Sequence, residues 1–146
     1  MSVEISNISN QLSILANGLK KEVQQNKALK RKAAKPLEVA MYFNAPKSKK
    51  TVIRKGKIIP SGALKRSIKF LPLRKTEDVF VGSDFRIAPH AHLVEFGFRH
   101  HTGEQVPGKF FAKKSYEQTK SQVLINLVEL AKKEFEKYGK QLEING

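Results

Sequence analysis

The sequence predicts an α+β fold, in which a small antiparallel β-sheet packs with an N-terminal helical pair and a long C-terminal helix. Apolar residues recur at steps of three and four toward both ends of the chain, the period of a half-buried helix. Between those ends lie short alternating segments punctuated by Gly, Pro and Asp, the pattern of strands and turns. The strand segments are close neighbours in sequence, which favours antiparallel pairing. A chain of 146 residues fits one domain spanning 1–146, and its 40% apolar content suffices for an ordinary core.

The N-terminal helices occupy 4–43. Residues 4 to 24 carry Ile5, Ile8, Leu12, Leu15, Leu19 and Val23 in one stripe, slightly weakened by Gly18. That stripe would dock on its own domain or on another subunit. Residues 26 to 43 form the second helix, with Ala33, Leu37, Ala40 and Met41 on one side. Pro36 lacks a backbone donor, so it kinks this helix or marks a restart, and Asn44-Ala45-Pro46 stops it. A basic arm, 47–60, follows. Within it Thr51-Val52-Ile53 and Ile58-Ile59 flank Lys55-Gly56, the pattern of a short, poorly buried hairpin.

The sheet region, 61–97, opens with a helical turn at Ser61-Gly62-Ala63-Leu64-Lys65-Arg66. A strand over Ser67 to Leu73 faces Ile68 and Phe70 one way, with Pro72 at its end or on a sheet edge. Thr76-Glu77-Asp78 turns into the strand Val79-Phe80-Val81, which Gly82-Ser83-Asp84 ends. His92-Leu93-Val94-Glu95-Phe96 reads as a third strand, and Gly97 to Gly108 as a loop. The C-terminal helix, 110–138, runs from Phe110 to Tyr138 with a main stripe of Leu124, Leu127, Ala131, Phe135 and Tyr138. Val123, Ile125, Val128 and Leu130 make residues 123–130 apolar on nearly every side. A helix apolar all round is covered all round. So short a chain rarely surrounds one helix, so these four residues are assigned to a subunit interface.

The formal net charge of +15 is confined to one stretch. From Lys20 to Lys75 eighteen Lys and Arg meet only Glu22 and Glu38, a balance of +16, while the other ninety residues are nearly neutral. Such asymmetry points to an acidic or polyanionic partner, and DNA would give steep salt dependence. The bland alternative is a solvated surface. The arm residues Lys47, Lys49, Lys50, Arg54, Lys55 and Lys57 are the candidates for contact with a partner protein or with DNA phosphates.

Catalytic signals are weak. With no cysteine there is no disulfide, Cys-based metal site or Cys nucleophile. No nucleotide-binding glycine motif is present, and no cofactor is expected. No run approaches a membrane helix, and the N-terminus lacks the pattern of a signal peptide, so the chain reads as made inside a cell. His90, His92, His100 and His101 cluster near Asp84 and Glu95. A His-carboxylate metal site, and with it a metal nuclease, is conceivable, but the spacing fits no metal motif. Glu77 and Asp78 would face opposite ways on a strand. Phe110 and Phe111 stand beside Lys109, Lys113 and Lys114; stacking on bases is one use, and core anchoring the commoner one.

Five pieces in order carry a family resemblance: Asn44-Ala45-Pro46; Gly62-Ala63-Leu64 through Ser67-Ile68; Val79-Phe80-Val81-Gly82; Glu95-Phe96-Gly97; and Pro107-Gly108-Lys109-Phe110-Phe111 leading into a long helix. Over roughly residues 28 to 138 the chain resembles tail-component proteins of tailed bacteriophages, the head–tail joining, tail-completion or tail-terminator type of lambda-like siphophages. Two features depart from that pattern. Phe98 stands where the family usually has Thr, and the arm 47–60 fills what is usually a link of a few residues. The resemblance marks Gly62, Leu64, Ser67, Gly82, Glu95, Phe96, Gly97 and Phe110 as motif positions.

The resemblance implies a non-enzymatic structural virion protein. It would assemble in the host cytoplasm into a ring, typically a hexamer, at the phage neck, against connector and tail-tube proteins. The packaged DNA would be at most a transient contact, and no membrane is involved. Gly62, Gly82 and Gly97 would serve backbone freedom at turn and strand junctions. Glu95 would cap or salt-bridge at the sheet end, or stand as an exposed strand charge. The alternative is a basic nucleic-acid-binding protein, with the His-metal nuclease behind it.

Overall fold

The structure, a computed structural model, describes residues 10–18, 20–21, 26–73, 75–76 and 78–145. Its helices are α1 (10–18), α2 (Lys27–Ala33), α3 (Lys35–Asn44), α4 (Ala63–Ser67), α5 (Ala91–Phe96) and α6 (Phe111–Asn145). Its strands are β1 (Val52–Arg54), β2 (Lys57–Ile59), β3 (Ile68–Pro72), β4 (Val79–Ser83), β5 (Gly97–Arg99) and β6 (Gln105–Pro107). The fold is α+β, with helices at the N-terminal end and a long helix at the C-terminal end. Ile5, Ile8, Leu19, Val23 and Glu77, and the side chain of Tyr138, lie outside the described residues.

The second N-terminal helix is two. The Asn26 side chain accepts from the Leu29 amide at 2.9 Å and caps α2. Ala34 ends α2 and opens α3, and Pro36 lies in the first turn of α3, where a missing N–H breaks no helical bond. The restart expected from Pro36 is therefore what occurs. Beyond it, Asn44 Nδ2 donates to Ser115 Oγ at 3.0 Å and to Gln118 Oε1 at 2.8 Å, tying the end of α3 to α6.

Among the described residues, the expected single sheet is instead three antiparallel two-stranded ribbons, β1–β2, β3–β4 and β5–β6. The register of β3–β4 runs from Ile68 opposite Ser83 to Pro72 opposite Val79, so Pro72 does fall at a strand end. The third strand expected at His92–Phe96 is helix α5. Ala91 and Val94, three apart, both pack against the core, a helical period that the short alternating reading missed. The amides of Leu93 and Val94 both bond to the His90 carbonyl, starting the turn. The expected loop from Gly97 to Gly108 contains a hairpin, with Phe98 opposite Val106 and His100 N–H closing on Glu104 O at 2.8 Å.

The core lies where these pieces converge. Met41, Ala45, Leu64, Ile68, Ala88 and Phe111 are buried against one another, with Leu37, Val81 and Val94 packed around them. Ser67, fully buried in the α4–β3 junction, donates its hydroxyl to Leu64 O at 2.6 Å and is hydrogen-bonded to Ser83 Oγ. The Asp84 amide returns to Ser67 O at 2.8 Å, closing that corner. Helix α6 begins one residue later than expected and runs 35 residues, about 50 Å. Phe111 and Ser115 seat its first turns in the core.

Candidate functional site

The N-terminus of α6 is held by a carboxylate from another element. Glu95, at 8% exposure, accepts from the Ala112 amide at 2.9 Å through Oε2 and from the Lys113 amide at 3.1 Å through Oε1. These amides have no partner within their own helix, and the positive end of the helix dipole favours an anion there. Of the two roles expected for Glu95, capping is the one realised; the exposed strand charge is overturned, because α5 turns the side chain inward. The main chain is spliced at the same place, with Lys109 N–H bonding Val94 O at 2.8 Å and Phe110 N–H bonding Glu95 O at 3.1 Å.

Gly97 makes this splice possible. Its φ of 82° and ψ of 175° are essentially confined to glycine, and a Cβ would stand 2.4 Å from Val106 O and 2.6 Å from Gly108 N. Gly62 is likewise left-handed, at φ 74°. Gly82 differs from the expectation: it lies within β4 without a positive φ, and the half-exposed Phe80 ring leans over it, where a Cβ would displace the ring. Leu64 and Ser67 are buried, while Phe96 and Phe110 are exposed. Of the aromatic pair opening α6, only Phe111 anchors the core; Phe110 takes a positive φ of 49° ahead of the helix.

The basic arm forms a short hairpin that is exposed along both strands apart from Ile59. Lys55 and Gly56 both have positive φ, the two-residue turn that matches strand twist. Val52 pairs with Ile59 and Arg54 with Lys57, which places these four on one face and Ile53 and Ile58 on the other. Lys57 Nζ donates to Arg86 O at 2.7 Å, and Ser61 Oγ donates to Ser48 O at the arm's base.

A cleft of about 450 Å³ lies between this hairpin, α5 and the β5–β6 ribbon. Of the six candidate arm cations, Lys47, Lys50 and Arg54 line it, whereas Lys49, Lys55 and Lys57 do not. Two groups outside the arm join them, His90 and Lys109. Burial first, then the charges of Arg54 and His92, hold the His90 imidazole below its ordinary value of 6.5. The apolar walls, among them Leu93, Val94, Phe98 and Val106, were not legible as a site. The usable signal was the alternation on either side of Thr102-Gly103, hidden by reading 97–108 as a loop.

On α6 the interface assignment divides. Val123 and Leu130 are partly buried toward the rest of the structure, while Ile125 and Val128 are exposed. The expected main stripe divides too, with Leu127 and Ala131 partly buried and Leu124 and Phe135 outside. The resulting open row has exposures of 62% at Leu124, 50% at Ile125, 47% at Val128 and 49% at Phe135.

The histidines do not form a donor set. The His100 and His101 rings lie side by side, tilted 46° with centroids 4.0 Å apart, and His100 Nδ1 is within 2.8 Å of Thr102 Oγ1. Asp84 is engaged by Lys69 Nζ at 2.7 Å and Glu95 by the α6 amides. Among the described residues, no three His, Asp or Glu side chains are placed to hold a metal ion. Among the same residues, no helix is long and apolar enough to cross a membrane. No family model, curated protein or solved structure matches the chain.

Proposed function

We propose that this chain is a structural virion protein of a tailed phage or prophage, a tail-completion, tail-terminator or joining component that builds a ring at the head–tail junction. The observation that carries the proposal is the open apolar row of α6, Leu124, Ile125, Val128 and Phe135. An apolar row of that extent is normally covered by another molecule. Covering each half-exposed side chain is worth about 1 kcal/mol. If the row meets a different surface on the next copy, the contact is head-to-tail, and such contacts close into a ring when the rotation between copies divides a full turn and otherwise grow into open filaments.

The motif pieces give further support. Asn44 bonds to α6, the strand opened by Ile68 pairs with residues 79–82, Glu95 caps α6, and Ala45, Leu64, Ile68 and Phe111 share the core, so the five pieces form one connected framework. On this reading the protein is non-catalytic, is located in the virion, and uses the basic arm to dock on an acidic surface of a neck or tail-tube neighbour. A strong grip on DNA would hinder passage of the genome, which favours protein over DNA as the arm's target. Electron microscopy of the purified chain is expected to show closed rings. Neutralising Lys49, Lys50, Arg54, Lys55 and Lys57 together is expected to leave rings intact and stop heads joining tails. Normal joining by that variant would contradict the docking role.

A second reading, a basic nucleic-acid-binding protein, is favoured by the confinement of the whole charge excess to 20–75. Filter binding across a salt series separates the two. Tight binding by the isolated chain with a steep salt slope would favour this second reading.

A further inference from the structure

We infer that the cleft beneath the basic hairpin binds an extended segment of a partner protein in which apolar side chains alternate with carboxylates. The inference rests on the arm being a protein-docking element and specifies what it docks. The cleft has two chemistries in fixed places. Leu64, Leu93, Val94 and Phe98 supply an apolar floor, and Lys47, Lys50, Arg54 and Lys109 supply cations around it. No Asp or Glu lines it. None of the four cations makes an ion pair with a carboxylate among the described residues. Of the carboxylates in the neighbouring segments, Asp84 is committed to Lys69 and Glu95 to the α6 amides, and Glu104 lies in the β5–β6 turn outside the lining. An occupant that satisfies both chemistries brings its own apolar groups and its own negative charge.

The floor decides between kinds of anion. Nucleic acid bases stack on flat aromatic or guanidinium surfaces. This floor is mostly branched aliphatic, with Phe98 the one benzene ring in it. Branched aliphatic walls suit Leu, Ile, Val or Phe side chains inserted edge-first. A volume of about 450 Å³ takes a few such side chains but not a folded domain. The flanking ribbons have two strands each, so an extended segment also finds unpaired strand edges to bond to.

The test is fluorescence anisotropy with three labelled probes of equal charge. One is a peptide alternating Leu or Phe with Asp or Glu, one is the same peptide with Ser for Leu and Phe, and one is oligothymidylate. The apolar-acidic peptide is expected to bind about tenfold or more tighter than either of the others. Leu93→Glu is expected to weaken it by about tenfold, the loss of a single buried anchor. The double variant Lys50→Glu, Arg54→Glu, whose changes lie at exposed positions and leave the fold intact, is expected to do the same. Equal binding of the Ser peptide, tighter binding of the oligonucleotide, or undiminished binding by both variants would overturn the inference. Particle mass is read on the same samples. Rings without probe binding would remove the cleft assignment alone, whereas probe binding by a monomer would uphold the cleft and remove the ring.

Discussion

Glu95 joins α5 to the N-terminus of α6 through both its side chain and its backbone. Its two oxygens serve two α6 amides, and its own carbonyl receives Phe110, so side chain and backbone both tie α5 to the start of α6. Glu95→Ala removes the cap from a buried helix end and is expected to lower stability by about 1–2 kcal/mol in urea titrations. Glu95→Gln, which keeps one acceptor but no charge, is expected to fall between the two. A Glu95→Ala stability equal to wild type would show that the cap is idle.

Asp84 gives a pH signature. The Lys69 ammonium, then the Arg86 amide bonded at 2.9 Å, hold its carboxyl below the ordinary value of 3.8. A carboxylate whose folded value is depressed stabilises the fold above its unfolded value and loses that effect as pH falls through the folded one. Asp84→Asn is therefore expected to be less stable than wild type at neutral pH. The gap should narrow as pH drops from about 4 and vanish below the folded value. A gap unchanged between pH 7 and pH 2 would contradict this.

Among the elements, periodicity is legible where it runs for several turns, and a hairpin where a Lys55-Gly56 turn joins two apolar runs. The α2–α3 break at Pro36, the Lys55-Gly56 hairpin and the β3–β4 pair could all be read from local chemistry. Helix α5 could not. Six residues hold too few periods to separate alternation from a helical step, and the choice is made by Ala91 and Val94 both reaching the core. Mistaking α5 for a strand also hid the inward turn of Glu95 and the hairpin after Gly97. The C-terminal helix was legible as over-apolar, but which side it buries depends on α3, so Val123 and Leu130 could not be told from Ile125 and Val128 beforehand. The variant Leu124→Asp, Val128→Asp alters only the open row. It is expected to keep the wild-type circular dichroism and lose higher-order assembly. Full assembly by this variant would move the interface elsewhere.

For the whole molecule, the charge excess is confined to one stretch of sequence, while exposed apolar groups lie both within that stretch, at Phe43, Ile53 and Ile58, and on α6. The positive excess lies within 20–75, and the open row lies on α6. The cleft was invisible in the sequence because its walls come from 46–64, 90–98 and 106–109, which meet only after α5 and the β5–β6 ribbon are formed. Under the proposed function, the α6 row would hold sister copies while the basic cleft receives a different partner. The direct measurement is particle mass in solution at micromolar concentration. A closed multiple of the 16.5 kDa chain, insensitive to dilution over the micromolar range and reduced by Leu124→Asp, Val128→Asp, is the expected result. A particle that stays at 16.5 kDa under every condition, including in the presence of phage neck and tail components, would contradict assembly through α6.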